Sequence, residues 1–176
     1  MVRTPSFGRG FNLLIITDAI LNQASKFREY PESKALAIPF AIESCWVTGK
    51  YDVMKTLVPD DALTSSNFNI GLGQVLLALA SGEMDLVSSR IADLQMMTAQ
   101  GLNVTNTSSL QECHGIMMQL HVLVELDAIA KASQDENFDK AGLLRTLNQR
   151  LDILGPFLAD KQYICGIRRA AMHLTR

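Results

Sequence analysis

The chain has 176 residues, 48% of them hydrophobic and only 19% charged, with a formal net charge of −2. That length suits one domain, able to bury roughly 70% of the surface its unfolded form exposes. Lys and Arg are scattered rather than blocked, so no phosphate-binding face emerges and direct nucleic-acid binding is not expected.

The first ten residues carry no periodic pattern and are expected to be an unstructured start, with a single helical-repeat domain over 11–176. About seven helices, besides one short one, are expected in that domain. The first spans about Leu13 to Arg28 and the second about Ala35 to Thr48, joined by a turn at Tyr30-Pro31-Glu32-Ser33. Pro39 then falls near the first turns of the second helix, where a missing N–H is tolerated. A short helix at Asp52 to Val58 follows, then Asn69 to Ser81 and Glu83 to Gln100.

The longest helix is expected from about Ser109 to Ser133, opened by a capping box of Ser109 and Glu112. Its apolar stripe is Leu110, Cys113, Met117, Leu120, Val124 and Ala128, with a second at Ile116, Leu123 and Ala130. Two stripes imply packing on two sides. A helix at Phe138 to Leu154 carries Leu144, Leu147, Leu151 and Leu154, and Gly155-Pro156 ends it. The last, about Lys161 to Leu174, carries Ile164, Ile167, Ala171 and Leu174. No stretch alternates with period two for long enough to predict a strand, and the longest apolar runs fall far short of the roughly 20 residues that cross a bilayer.

An internal repeat refines this all-α reading. Ile42 to Met54 (IESCWVTGKYDVM) aligns with Val75 to Val87 (VLLALASGEMDLV) at a shift of 33 residues. Trp46 falls on Leu79, Gly49 on Gly82 and Asp52 on Asp85. A period of about 34 residues marks tetratricopeptide-like hairpins, in which a glycine ends one helix and a polar residue starts the next. The expected architecture is therefore a stack of antiparallel helical hairpins, an α-solenoid whose hairpins bury their faces on their neighbours. The low charged share and the mean hydropathy of +0.13 fit apolar faces that pack on something outside the chain.

Candidate chemistry is thin. Gly71-Leu72-Gly73 lacks the third glycine of a dinucleotide loop, since Leu76 stands there, and reads instead as small residues admitting a close helix approach. His114 and His121 lie about two turns apart, roughly 10 Å, too far for one metal ion. His121 with Glu125 reads as a surface i, i+4 pair. Cys113 and His114 are sequence neighbours and point apart, so they make no catalytic couple. Cys45, Cys113 and Cys165 read as reduced thiols. Arg168-Arg169, with Arg176 beyond, read as a solvated face near the negative end of the last helix. Ser133-Gln134 in an acidic loop is a candidate phosphorylation site. No catalytic, cofactor-binding or metal residue is expected.

Four ordered stretches resemble the FAT region of ATR-type kinases, members of the phosphatidylinositol-3-kinase-related family. They are Ile42-Glu43-Ser44-Cys45-Trp46 with Gly49-Lys50-Tyr51-Asp52; Asn69 to Leu79; Gln119 to Leu126; and Ile167-Arg168-Arg169-Ala170-Ala171. The resemblance implies a non-catalytic helical scaffold that clasps the kinase domain, in a nuclear serine/threonine kinase of the DNA-damage checkpoint and DNA repair. Its implied partners are the rest of the kinase polypeptide and an ATRIP-type subunit, and it implies no cofactor for this segment. Kinase chemistry needs a phosphate-holding lysine, an aspartate base and metal-binding carboxylates in their motifs. No such motif is present, so catalysis by this chain is not expected. The alternative reading is a stand-alone tetratricopeptide-like adaptor that grips a protein or peptide.

Overall fold

The computed structural model describes Ala19 and residues 31–58, 67–104, 110–135 and 137–175. Seven helices occur in this part: α1 (Pro31–Thr48), α2 (Tyr51–Leu57), α3 (Phe68–Ser81), α4 (Met84–Val104), α5 (Leu110–Gln134), α6 (Lys140–Asp152) and α7 (Leu158–Leu174). No strand occurs among the described residues, and the all-α expectation holds. The expected helix at Leu13 to Arg28 lies outside the described residues except for Ala19, as does the Ser109 cap.

Several boundaries shift for identifiable reasons. α1 begins at Pro31, expected in the turn, because proline suits the first helical position, where the N–H it lacks would have no helical partner. Pro39 consequently lies in the interior of the helix. α6 starts at Lys140 because the Asp139 carboxylate accepts the Gly142 N–H at 2.9 Å and caps it. Beyond α6, Gly155 takes φ +60, so the expected glycine stop is present.

The repeat is visible in the backbone. Gly49 and Gly82 both sit at φ +76, a conformation open to glycine at no steric cost. The next residue donates back across each turn: Lys50 N to the Cys45 carbonyl at 2.9 Å, Glu83 N to the Ala78 carbonyl at 3.1 Å. This is the Schellman closure, and it occurs at the same repeat position twice. Burial follows the same alignment, with Ile42 and Val75, Trp46 and Leu79, and Met54 and Val87 all buried.

The chain divides into two compact units, Met1–Leu77 and Ala78–Arg176. In the first, α1 packs on α2. The start of α3 approaches both, because a Cβ on Gly73 would come within 2.7 Å of Ile42 Cγ2 and within 3.8 Å of Met54 Sδ. In the second, α5 is central and packs on α4, α6 and α7. The pairing gives directions. Ser133 Oγ meets Met84 Sδ, and Gly101 faces Ile116, so α4 and α5 run antiparallel. His114 meets Asp160 and Glu125 meets Arg168, so α5 and α7 run parallel, with α6 returning between them. A hairpin followed by a third helix parallel to the first is the repeating step of a helical-hairpin stack.

Of the two stripes expected on α5, the second holds, with Leu123 and Ala130 buried and Ile116 half-buried, whereas the first does not. Leu110, Met117 and Val124 are exposed, Leu110 at 90%. The buried positions are Met118, Val122, Leu123, Glu125, Leu126, Ile129 and Ala130. Apolar residues occur all round this helix, so periodicity alone does not distinguish its packed faces from its open one.

Candidate functional site

Gly71, Leu72 and Gly73 lie buried within α3, and the Gly71 N–H donates to the Asn67 carbonyl at 3.2 Å. Gly73 serves close packing: Ile42, Val58 and Met54 occupy the space a side chain would need. His114 and His121 engage different partners. The Nε2 of His114 lies 3.0 Å from an Asp160 oxygen on α7, and its ring stands 6.3 Å from that of Phe157. His121 Nε2 lies 2.8 Å from Glu125 Oε1. Among the described residues, no three His, Cys, Asp or Glu side chains converge as metal ligands would.

The most organised polar constellation is one that the spacing of residues did not suggest. Glu125 is only 3% exposed and Arg168 only 8%. They are the only buried charges among the described residues. Arg168 Nε donates to Glu125 Oε2 at 2.5 Å and Nη2 to Oε1 at 2.6 Å, a two-pronged fork. The same Nη2 also donates to the Leu147 carbonyl of α6. His121 completes the group on Oε1, and Arg150 Nε stands 3.9 Å from that oxygen. One carboxylate on α5 thus accepts from α5 and α7, with the Arg150 cation of α6 nearby.

This overturns two expectations. The His121–Glu125 pair is not a surface pair, because Glu125 points inward against α7. Arg168 does not belong to a solvated face, although its neighbour Arg169 is exposed. A signal for the pair is present in the sequence. Glu125 lies in phase with the buried Val122 and Ile129, and Arg168 with Ile164 and Ala171. A single charge of opposite sign on each of two apolar stripes is a reason to pair them, since burying either alone is costly.

Of the thiols, Cys45 is buried, Cys113 half-buried and Cys165 exposed. Burial pushes the Cys45 thiol up to about 11, with nearby Lys50 pulling the other way. That is the signature of an inert packing cysteine rather than a nucleophile. Ser133 is exposed in the last turn of α5, with its hydroxyl donating to the Ala130 carbonyl at 2.6 Å. It stands on the rim of a cleft of about 550 Å³ whose floor includes Ile129, Leu143 and Met172. Asp135 and Lys140 share the rim, and Lys140 is the cation among the lining residues.

Residues 38–176 match the model of the FAT domain. The chain belongs to the FAT-domain family. The FAT chain is also 23% identical over 163 aligned residues to serine/threonine-protein kinase ATR of Oryza sativa subsp. indica, and equally to that of subsp. japonica. Each alignment covers 82% of this chain and 6% of the relative. The chain therefore spans about a sixteenth of the length of these curated relatives. No solved structure matches it. The expected resemblance to the FAT region of an ATR-type kinase is borne out.

The four stretches that carry that resemblance meet in pairs. The first and second meet where Ile42 covers Gly73. The third and fourth meet where Glu125 grips Arg168. In this FAT chain the family-like stretches thus supply helix–helix contacts in each unit.

Proposed function

We propose that the chain is a non-catalytic helical scaffold segment of an ATR-type serine/threonine kinase, acting in the nuclear DNA-damage checkpoint and in DNA repair. Its partners in this reading are the kinase domain and neighbouring helical repeats of the same polypeptide, with an ATRIP-type subunit in the complex. The observation that carries the reading is the match to the FAT domain over residues 38–176, joined to the similarity to two ATR kinases. The internal chemistry supports it, since the family-like stretches contribute helix–helix contacts. Exposed apolar side chains add to it: Leu36 and Phe40 on α1, Leu110 and Met117 on α5. Such surface is what a scaffold covers with other polypeptide.

The adaptor alternative calls for a groove lined with polar and basic groups able to clamp a peptide carboxylate. The cleft beside Ser133 has an apolar floor, and its Lys140 shares the rim with Asp135. That lining favours the scaffold reading.

An antibody raised against the exposed surface of α4 tests the proposal in nuclear extracts of the source tissue. The expected catch is a polypeptide of kinase size that phosphorylates serine or threonine. A catch of 19.4 kDa chain alone, with no kinase activity, would favour the adaptor.

A further inference from the structure

We infer that the buried Glu125–Arg168 pair is a register lock, fixing which turn of α7 lies against α5 and α6. The apolar contacts around it do not choose a register. On α7 the buried neighbours of Arg168 are Ile164, Ile167, Ala170 and Ala171. On α5 they are Val122, Leu126 and Ile129, and on α6 the buried side chain is Leu147. These are aliphatic groups and alanines, and the hydrophobic effect is non-directional. Sliding α7 by one turn, about 5.4 Å, would still place apolar on apolar.

The charged pair does not tolerate that slide. The Arg168 guanidinium is planar, and its fork holds both oxygens of Glu125 while the same side chain reaches the Leu147 carbonyl. A one-turn slip breaks all three bonds, strands the Arg168 charge in apolar surroundings and leaves Glu125 with His121 alone, a costly outcome. The native register satisfies them together. His121 holds the carboxylate end from α5 itself, and Arg150 adds its charge from 3.9 Å without a hydrogen bond. A buried pair of this kind need not add net stability, because its desolvation cost offsets its attraction. What it supplies is the choice among near-equivalent packings. In a stack of helical hairpins, this fixes how α7 follows α5 and α6.

The test replaces both charges at once in the full chain, as Glu125→Leu with Arg168→Met. Spin labels at K131C and Q162C, with Cys113 and Cys165 changed to Ser, read the position of α7 along α5. The double variant is expected to unfold cooperatively, within about 4 °C of the parent midpoint, while either single change lowers the midpoint by about 10 °C or more. Its distance distribution is expected to gain a second population displaced by about one helical turn. A double variant that keeps the parent's single distance would overturn the lock. So would one that fails to fold, because the pair would then be a stability element rather than a selector of register.

Discussion

The two units of this chain solve the same problem, holding helices at fixed spacing, by opposite means. In the first, α1, α2 and α3 meet through apolar groups and an absence: Gly73 lets Ile42 approach so closely that one added methyl has no room. In the second, α5, α6 and α7 meet around a buried carboxylate and guanidinium. Shape specifies the first contact and hydrogen-bond geometry the second. Steric fit is intolerant of added volume, whereas a charged pair is intolerant of losing either member.

The largest effects should come from breaking the centre of each unit. Glu125→Ala leaves Arg168 buried without its partner and should cost about 3–5 kcal/mol. Trp46→Ala empties a buried ring site in the first unit and should cost about 3–5 kcal/mol as well. Chemical denaturation reads both. A loss below about 1 kcal/mol for either would remove that residue from the account.

A matched pair of glycine substitutions sharpens the contrast. Gly73→Ala should cost about 1–3 kcal/mol from overpacking, partly offset by the better helix propensity of alanine. Gly115→Ala changes a helical glycine in α5 with nothing within 4 Å of the added methyl, and should stabilise by about 0.5–1 kcal/mol. Opposite signs for one chemical change in two helices would locate the steric contact, and equal signs would contradict it.

The repeat turns should behave alike. Gly49 and Gly82 share the same positive φ and the same open surroundings, so alanine at either should cost about 1–2 kcal/mol. Costs that differ by more than about 0.5 kcal/mol would show that the turns are not equivalent.

The smallest expected effect concerns Cys45. A thiol-directed reagent at pH 8 should modify Cys165 readily and leave Cys45 untouched in the folded chain. Because the folded value is raised from 9.0 to about 11, burial of the neutral thiol stabilises fully below pH 9. That contribution falls as pH rises through 11. Flat stability over that range in the parent, relative to Cys45→Ala, would remove the effect.

Much of the fold is legible in the sequence because its signals are local. Gly49 and Gly82 end helices through their own backbone, and Asp139 and Gly155 bound α6 through bonds spanning three residues. The Gly71-Leu72-Gly73 stretch was also readable as a packing element. The buried surface of α5 was legible only in part, at Leu123 and Ala130, because this helix is apolar on several sides, and choosing among them requires the partners α4, α6 and α7. The Glu125–Arg168 centre was hidden for a related reason. Its members lie 43 residues apart in the chain, and each alone resembles an ordinary surface charge. Only the phase each shares with buried neighbours shows the pair, and that phase is visible once the correct face is known.

The scaffold role itself is tested most directly by chemical cross-linking of the native assembly captured with this chain. Lys131, Lys140 and Lys161 supply reactive amines on α5, α6 and α7. The account predicts links from these lysines to a kinase domain and to neighbouring helical segments of one long polypeptide. Links confined to unrelated proteins, with none to a kinase, would contradict it.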